Sequence, residues 1–366
     1  MAKDYIALGL MSGTSLDGVD VGLVHTDGER LLSKPFGSSY AYSAEDRSRL
    51  LHYTDMARDW DFRGPPPNAF AEASALVDAL HARAVDAFRR EVGRKAHDAQ
   101  VIGYHGQTVL HDAIRGRTMQ LGEGQALADR FATPVVFDFR SEDVAAGGQG
   151  APLAPVYHRA LVHDAGLKGT TAVLNLGGVG NVTVIRGETL LASDTGPANG
   201  PLDSWLGGVD DGGGVSAVGR PDFDRVENFL RLPFFRRDWP RSADRYDFDV
   251  TGYMQDLGRE DGAATLALFT ALSVKRTLQQ MDVRPDRVVV CGGGRHNRTI
   301  MTLLSLELEC EVRAAEAFGW ASDSIEAEAF GVLAVRVLNG LPNSYPTTTG
   351  VPAPTVGGRV AYPSSR

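Results

Sequence analysis

Two kinds of hydrophobic pattern alternate along the chain. Short apolar runs bounded by glycine or polar residues predict β-strands, whereas apolar residues at helical spacing predict amphipathic helices. The predicted strands lie within residues 6–24, 101–105, 135–139, 171–185, 190–194 and 287–291. The predicted helices cover residues 65–95, 260–281, 297–308 and 323–338. Strands that alternate with helices are typical of an α/β fold with a parallel or mixed sheet.

The pattern of residues 6–24, two apolar runs joined by a turn, is repeated at residues 171–185. The first turn contains Gly13 and Gly18, which we expect to allow positive φ, and the second is built of glycine and asparagine. Exposed N–H groups and hydroxyls of such turns suit phosphate oxygens, although an ordinary hairpin uses the same residues. The repeat predicts two related domains facing each other across a cleft, each offering a loop to one nucleotide. Chance similarity of two hairpins is the alternative.

Acids and glycines near these turns add to the nucleotide hypothesis. Asp17 and Asp20 accompany the first turn, where they fit a divalent cation or the positioning of a hydroxyl group or water. Residues 292–294 are three glycines after a strand, against which ribose or adenine can lie, and Asn297 is suited to cap the next helix. Neither a P-loop lysine motif nor a clean dinucleotide fingerprint occurs, so phosphate binding would rely on paired loops.

Composition restricts the functional class. The 366 residues are 43% hydrophobic and 23% charged, which is typical of a folded protein of about two domains. No apolar run approaches a membrane span, and the first residues are too acidic for a secretion signal, so we expect a cytoplasmic protein. Two cysteines are too few for a disulfide framework or a zinc site. The net charge of −9 argues against nucleic acid as a partner and favours a small polar substrate.

Polar residues at predicted strand ends are the candidates for chemistry. Asp194 ends an apolar strand before a Gly-Pro turn, where a carboxylate can accept a proton from an attacking hydroxyl or water, or can simply cap its own turn. Gln107 and Thr108 follow His105 at another strand end and are suited to sugar-like hydroxyls, with a core role for His105 as the alternative. Arg140 can bind a carboxylate in bidentate fashion or pair with a neighbouring acid.

Two further features complete this interpretation. Glu326 shares a face of the last predicted helix with Phe330, although glutamates at a helix edge are usually only solvated. The clustered arginines between residues 203 and 249 are expected to be solvated in a loop-rich insertion. They are Arg231, Arg236, Arg237 and Arg241.

An ordered set of motifs resembles one enzyme family, the anhydro-N-acetylmuramic acid kinases. The motifs, in chain order, are Gly13-Thr-Ser-Leu-Asp-Gly-Val-Asp20, His105-Gly-Gln-Thr108, Asp138-Phe-Arg140, Gly147-Gly-Gln-Gly-Ala-Pro-Leu153, Asn175-Leu-Gly-Gly-Val-Gly-Asn181, Asp194-Thr-Gly-Pro-Ala-Asn199, Cys291-Gly-Gly-Gly-Arg-His-Asn297 and Glu326-Ala-Glu-Ala-Phe330. The resemblance implies an actin-like fold with ribonuclease-H-like duplicated halves, as in sugar kinases, around a central cleft. We expect an N-terminal domain over 1–137, a C-terminal domain over 138–340 whose last helix crosses toward the first, and a surface-packed coil over 341–366.

The resemblance also implies a reaction. ATP, Mg²⁺ and water would convert 1,6-anhydro-N-acetylmuramic acid into N-acetylmuramic acid 6-phosphate during cell-wall recycling, in a homodimer without nucleic-acid or membrane partners. Asp194 matches the catalytic aspartate. The residues implied to bind ATP are Gly13, Thr14, Ser15, Leu16, Asp17, Gly18, Val19, Asp20, Asn175, Gly177, Gly178, Gly292, Gly293, Gly294 and Asn297. The candidates for the sugar are Gln107, Thr108, Arg140 and Glu326.

The chain departs from the family pattern in two places that concern the sugar pocket. A histidine and a Tyr/Phe-Asp pair are expected after Trp205 but do not occur, and residues 240–245 read Pro-Arg-Ser-Ala-Asp-Arg instead of Pro-Lys-Ser-Thr-Gly-Arg. The alternatives are therefore a kinase for another anhydro sugar such as levoglucosan, a kinase that deprotonates a substrate hydroxyl, or a nucleotide-driven conformational ATPase.

Overall fold

The computed structural model describes residues 2–243 and 245–364. Met1, Asp244, Ser365 and Arg366 lie outside the described residues, although the ranges 1–137, 240–245 and 341–366 of the sequence analysis include them. The strands are β1 (Tyr5–Ser12), β2 (Gly18–Thr26), β3 (Phe36–Ala41), β4 (Val101–Asp112), β5 (Arg117–Leu121), β6 (Val135–Phe137), β7 (Thr170–Leu176), β8 (Val179–Arg186), β9 (Thr189–Pro197), β10 (Arg287–Cys291), β11 (Glu311–Ala314) and β12 (Arg359–Ala361). The helices are α1 (Ala44–Trp60), α2 (Ala69–Val92), α3 (Arg94–His97), α4 (Gly124–Phe131), α5 (Ser141–Ala145), α6 (Pro155–Asp164), α7 (Asn199–Leu206), α8 (Gly214–Val218), α9 (Phe223–Phe229), α10 (Arg259–Gln280), α11 (Arg298–Leu308) and α12 (Ile325–Leu338).

The chain divides into two compact units. Unit 1 contains the residues up to Asp164 and those from Asp323 onward, and unit 2 contains Ala165–Ser322. Helix α12 therefore belongs to unit 1, together with α6. The boundaries expected from the sequence, 137/138 and 340/341, differ from these divisions and stay predictions of the domain organisation.

The sheet of unit 1 has the strand order β12-β6-β4-β1-β2-β3, with β5 paired to β4. Strands β1, β2 and β3 are antiparallel neighbours, whereas β4 runs parallel to β1 and β6 runs parallel to β4. Parallel strands need crossover connections, which α1 and α2 supply between β3 and β4, and α4 between β5 and β6.

The sheet of unit 2 repeats this topology. Its order is β11-β10-β7-β8-β9, with β7, β8 and β9 antiparallel, β10 parallel to β7 and β11 parallel to β10. Both units thus contain three antiparallel strands followed by two parallel ones, and unit 1 adds β5 and β12, each antiparallel to its neighbour. The duplicated hairpins expected from the sequence are the first two strands of each sheet, and the α/β class is confirmed.

Helices cover both faces of the sheet in unit 1. Leu8 and Leu10 of β1 pack into a core with Phe88 of α2, on one face. Gly9 lies between these leucines and faces α12, because successive residues of a strand point to opposite faces. The long amphipathic helix and the last helix, both predicted from apolar spacing, thus form the two outer layers of this unit.

A row of glycines brings α12 into backbone contact with the sheet. Gly37, Gly22, Gly9 and Gly103 lie side by side on β3, β2, β1 and β4, because each pair is in register. A Cβ on Gly9 would lie 1.8 Å from the carbonyl oxygen of Ala327. Added Cβ atoms on the other three would lie 2.0 to 2.6 Å from atoms of α12 or of the residue before it. This glycine row therefore sets how closely α12 approaches the strands.

The C-terminal segment is only partly coil. Strand β12 pairs antiparallel with β6, and Asn343, Thr349 and Val351 are buried before it. The sequence showed no periodicity here because the strand is three residues long. The residues between 203 and 249, expected to be a loop-rich insertion, include the short helices α8 and α9.

Among the described residues, none of the helices combines the length and the apolar character that a membrane span requires.

Candidate functional site

The β1–β2 turn of unit 1 differs in detail from the expectation. Positive φ occurs at Leu16 (54°), whose N–H donates to the carbonyl of Gly13, and not at Gly13 or Gly18. Gly18 is needed for another reason, since a Cβ there would lie 2.5 Å from the carbonyl oxygen of Tyr40. Leu16 and Val19 are buried, so they offer a ligand only backbone atoms. Thr14 and Ser15 are exposed and leave their side chains at the surface of the turn.

Gln107 connects the turn to β4. Its Oε1 accepts a hydrogen bond from Ser12, and its Nε2 donates to the carbonyl oxygens of Gly13 and Thr108. Because the amide is buried and engaged on both sides, Gln107 holds the turn in place. Thr108 is half-buried, and its hydroxyl accepts from Gln120.

An acidic group lies beside the turn. Burial, together with the nearby carboxylates of Glu326, Asp17 and Asp323, raises the pKa of Asp20 to about 7, although a hydrogen bond from Ser39 acts in the opposite direction. Glu326 as a whole residue is exposed to solvent. The protein atoms around its carboxyl group nevertheless desolvate that group and raise its pKa. The structure thus brings together three of the predicted residues, Asp17, Asp20 and Glu326, in unit 1.

Arg140 is held rigidly at the same site. Its Nε donates to Nε2 of His105 (3.0 Å), and its Nη1 donates to the carbonyl of Gly150 (2.6 Å). His105 is buried beneath the ring of Phe330, and burial together with the adjacent guanidinium holds the pKa of His105 well below its usual range. The imidazole is therefore neutral and accepts from Arg140 at Nε2. The charge of Arg140 also lowers the pKa of Glu326, which lies one turn before Phe330 on α12.

The β7–β8 turn of unit 2 meets two other predicted segments. The N–H of Asn199 donates to the carbonyl of Gly177, and the N–H of Gly200 donates to Gly178. A Cβ on Gly292, at φ 76°, would lie 2.3 Å from Oδ1 of Asn175. The turn 175–178, the start of α7 and the glycines 292–294 therefore converge and form an open backbone surface.

Asn297 has a structural role in unit 2. Its Oδ1 accepts from the N–H of Ile300, which caps α11 as the sequence predicted, and its Nδ2 donates to Asp210. Both ends of this amide are thus engaged within the protein. Its assignment to ATP binding stays a prediction.

Asp194 lies in β9, and it is only 7% exposed. Its N–H donates to the carbonyl of Arg241 (3.0 Å), and its Oδ2 accepts from the N–H of Ala243 (2.8 Å). The segment after Pro240, where the sequence departs from the family pattern, therefore holds the predicted base. The alternative of an aspartate that caps its own turn does not describe these contacts, because their partners lie more than forty residues away.

The expectation that Arg241 is solvated was wrong. The side chain is 2% exposed, donates to the carbonyl of Arg237 and to Oγ1 of Thr277, and stacks over Phe234 at 4.5 Å. Burial lowers the pKa of Arg241 to about 10, whereas the charge of Asp194 raises it. Clustering with other arginines suggested a surface role, and the sequence carries no local signal for burial at this position.

The sequence did not predict two further residues of the candidate sites, Ser39 and Asn199. Ser39 donates to Asp20, and Asn199 donates its Nδ2 to the carbonyl of Leu176. Asn199 ends the Asp194-Thr-Gly-Pro-Ala-Asn199 motif, which was a usable signal. Ser39 lies on a strand without a recognisable motif, and only the β2–β3 register places it opposite Asp20.

Comparisons with known proteins decide the family. Residues 5–363 match the family model described as anhydro-N-acetylmuramic acid kinase. This chain belongs to that family. The proteins named anhydro-N-acetylmuramic acid kinase from Methylorubrum extorquens and Rhizobium rhizogenes are 46% and 47% identical to it. The alignments cover 98% and 97% of this chain, and 99% and 98% of the relatives.

A similar solved structure is the activator of the 2-hydroxyisocaproyl-CoA dehydratase from Clostridium difficile with bound ADPNP, at 13% identity and a TM-score of 0.42. The match covers 90% of this chain and 94% of that chain. The family membership confirms the resemblance read from the ordered motifs, and with it the class of phosphotransferases that act on an alcohol group.

Proposed function

We propose that this protein uses ATP and water to convert 1,6-anhydro-N-acetylmuramic acid into N-acetylmuramic acid 6-phosphate and ADP. Similarity at 46% identity over 98% of the chain to a relative named for this activity is the observation that carries the proposal. The motifs identified in the sequence span the same length of chain. No observation favours levoglucosan, a plain hydroxyl-directed kinase reaction or a conformational ATPase.

The chemistry of the substrate explains why a base must act on water. The bridging oxygen of an anhydro sugar carries no proton, so a base has nothing to remove from it. We assign Asp194 as the base that takes a proton from water while the water oxygen bonds to the anomeric carbon. The bond from that carbon to O6 breaks, and O6 bonds to the γ-phosphorus as ADP leaves. The contacts of Asp194 with the segment 241–243 support this role, because they fix a buried carboxylate in one orientation.

The candidate sugar contacts lie in unit 1. Arg140 is a fixed cation, and a guanidinium held by His105 and Gly150 is suited to the lactyl carboxylate of the muramic substrate. Glu326 would accept from sugar hydroxyls beside it. Gln107 and Thr108 would contribute mainly by shaping the site, since their polar groups already bind protein atoms.

The nucleotide would bind to backbone N–H groups of the turns 13–20 and 175–178 and lie against residues 292–294. Magnesium belongs to this proposal, because Mg²⁺ is usually held by one or two carboxylates together with phosphate oxygens. Asp17 and Asp20 fit that donor set, although the described residues hold no group of three or more metal-ligating side chains. The ion would neutralise charge on the transferred phosphoryl group.

The family resemblance also supports a cytoplasmic homodimer, and the net charge of −9 disfavours nucleic-acid partners. Light scattering of the purified protein tests the dimer directly. A monomer at micromolar concentration would refute this part of the proposal.

Isotope labelling tests the reaction. The enzyme is supplied with ATP, Mg²⁺ and 1,6-anhydro-N-acetylmuramic acid in ¹⁸O-water, and the product is analysed by mass spectrometry. Label at the anomeric oxygen supports the proposal, whereas sugar phosphate without this label contradicts water activation. Levoglucosan in a parallel reaction tests the other anhydro sugar.

The variant Asp194→Asn tests the base. We expect turnover to fall by at least about a thousandfold while ADP affinity is retained. Asp224→Asn, on the exposed surface of α9, is the matched control and should behave like the wild type. Loss of ADP binding in Asp194→Asn would assign Asp194 to nucleotide or metal binding instead.

A further inference from the structure

A buried carboxylate in unit 1 has no part in the proposed reaction. Glu328, in the first turn of α12, is 2% exposed and lies two residues after Glu326. Its Oε2 accepts a hydrogen bond from the hydroxyl of Tyr157 on α6, and its Oε1 accepts from the hydroxyl of Ser324 (2.7 Å). Both partners are buried as well, so water does not replace these hydrogen bonds.

The hydroxyl of Ser324 has an unusual partner for its position. Serine before a helix normally accepts from the backbone N–H groups of the first turn, but Ser324 makes no such cap and donates to Glu328 instead. The three side chains Tyr157, Ser324 and Glu328 therefore form a connected group, called here the Glu328 group. It ties the start of α12 to α6 through side chains rather than through a helix cap.

Sterics and charge explain why the first turn of α12 needs this anchor. A Cβ on Gly37 would lie 2.1 Å from Cβ of Ser324, and one on Gly22 would lie 2.6 Å from the backbone nitrogen of Glu328. The turn is thus pressed against β2 and β3. The same turn carries Glu326, whose carboxyl group interacts with those of Asp17 and Asp20. Because these groups have like charge, they repel Glu326 and with it the first turn of α12.

We propose that Glu328 is a positioning residue: through Tyr157 and Ser324 it holds the first turn of α12 so that Glu326 stays beside Arg140. The inference rests on the proposed function, in which Glu326 and Arg140 contact the sugar. Glu328 itself is enclosed between α6 and β2 and touches no reacting group. Its effect passes to Glu326 through the backbone of two residues.

The carboxyl group of Glu328 depends on these two donors. Burial raises its pKa, and the two hydrogen bonds that it accepts offset only part of this rise. Each oxygen of this carboxyl group has one hydroxyl donor, which offsets part of the cost of burying the group. Removal of either hydroxyl leaves a buried oxygen of Glu328 without its donor, and the turn would shift toward another one.

Two conservative variants test the proposal. They leave Glu328 unchanged, because its loss would endanger folding. Tyr157→Phe and Ser324→Ala each remove one donor and keep the packing. Tyr345→Phe is the matched control, since the hydroxyl of Tyr345 also binds a buried charged residue of α12, Arg336, but near the opposite end of the helix.

Steady-state kinetics provides the first measurement. We expect Tyr157→Phe and Ser324→Ala to raise the KM for the anhydro sugar or lower kcat, with a combined loss in kcat/KM of roughly tenfold, and to leave the KM for ATP unchanged. Tyr345→Phe should retain wild-type kcat/KM. Equal losses in all three variants would show a general stability effect and overturn the proposal.

Amide hydrogen exchange provides a measurement that does not depend on activity. Residues 324–328 should exchange faster in Tyr157→Phe and Ser324→Ala than in the wild type, and at the wild-type rate in Tyr345→Phe. Unchanged exchange in the first two variants would refute the positioning role, whatever the substrate is.

The variant Glu326→Gln separates this inference from the proposed function. If Glu326→Gln keeps full kcat/KM, Glu326 is not part of the sugar site and the proposed function of this residue fails. If Glu326→Gln is impaired while Tyr157→Phe and Ser324→Ala equal the control, the sugar site stands and only the positioning by Glu328 is wrong.

Discussion

Gly9 of β1 lies directly opposite Gly103 of β4, and α12 rests on both through backbone atoms. A Cβ on Gly103 would lie 2.0 Å from the carbonyl oxygen of Phe330. Phe330 belongs to α12, the helix that also carries the candidate sugar-binding residue Glu326. The distance between sheet and helix is therefore determined by residues without side chains, and a single added methyl group has no space.

We predict that Gly9→Ala strongly destabilises unit 1. The added Cβ would meet the carbonyl oxygen of Ala327 at 1.8 Å and the nitrogen of Gly331 at 2.4 Å, so the helix backbone itself must move. We expect a loss of about 3 kcal/mol or more in the free energy of unfolding, at the upper end for an overpacked core. Urea unfolding followed by circular dichroism measures it.

Gly208→Ala is the control for this prediction. Gly208 is exposed after α7 and has no atom within 4 Å of an added Cβ, so alanine should change the stability by less than about 0.5 kcal/mol. Similar stabilities of the two variants would mean that α12 shifts freely over the sheet.

Local patterns were sufficient for the central strands of both sheets and for the helices α2, α10, α11 and α12, but they did not predict α1 or β3. The helix predicted at 260–281 is α10, and the strand 287–291 is β10, because an apolar run or stripe is a property of neighbouring residues. The glycine row was not predictable. Its members are far apart in sequence, and only strand register places them side by side.

For the candidate site, too, some features were predictable from the sequence and others were not. The sequence correctly placed Asp194 in a strand, but the expected Gly-Pro turn was wrong, because β9 continues through Gly196 and Pro197, which pair with β8. The contacts that hold Asp194 were not visible, because Arg241 and Ala243 come from a segment whose polar composition indicated a solvated loop. Positive φ at Leu16 was equally hidden, since leucine rarely adopts it.

We predict that Gly293→Ala weakens nucleotide binding without loss of stability. The protein has room for the methyl group, since its nearest neighbour, Nδ2 of Asn199, would lie 3.5 Å away. A nucleotide lying against residues 292–294 would meet this methyl group. We expect roughly a tenfold weaker Kd for ADP, equivalent to about 1.4 kcal/mol, by isothermal titration calorimetry.

Gly292→Ala distinguishes a ligand effect from a folding effect. Its Cβ would lie 2.3 Å from Oδ1 of Asn175, and its φ of 76° is unfavourable for alanine, so this variant should lose stability as well as affinity. Wild-type ADP affinity in Gly293→Ala would exclude the three glycines from the nucleotide site.

The pKa of Asp20 predicts how stability depends on pH. Burial raises this pKa to about 7 in the folded protein, above the ordinary value of about 3.9 in an unfolded chain. Between these values the folded state holds a proton that the unfolded state has lost. Stability therefore decreases as the pH rises from about 4 to 7, and the full destabilisation by ionised Asp20 is present above pH 7.

Asp20→Asn removes this ionisation. The variant should be more stable than the wild type at about pH 8, and the difference should shrink as the pH falls toward about 5, which thermal unfolding at several pH values measures. Ser39→Ala removes the donor that stabilises ionised Asp20, so it should destabilise the protein most at high pH. A difference between Asp20→Asn and wild type that does not change with pH would contradict the raised pKa.

Finally, we predict that Arg241→Met reduces catalysis by loosening the support of Asp194. The guanidinium binds the carbonyl of Arg237 and the hydroxyl of Thr277, while the carbonyl of Arg241 accepts the N–H of Asp194. Without this anchor the carboxylate loses its fixed orientation, and kcat should fall roughly tenfold to a hundredfold, with a smaller change in KM for ATP. Arg241→Lys should be intermediate, because lysine keeps the charge but not the planar fork.

Arg237→Met is the matched control for Arg241→Met. Arg237 stacks over the same ring, Phe234, at 4.9 Å, but it is only half-buried, and its carbonyl, the acceptor for Arg241, remains in the variant. We therefore expect Arg237→Met to keep kcat within about twofold of the wild type, since surface substitutions are usually tolerated. Equal losses in the two variants would show that the ring contact, and not the buried guanidinium of Arg241, maintains Asp194.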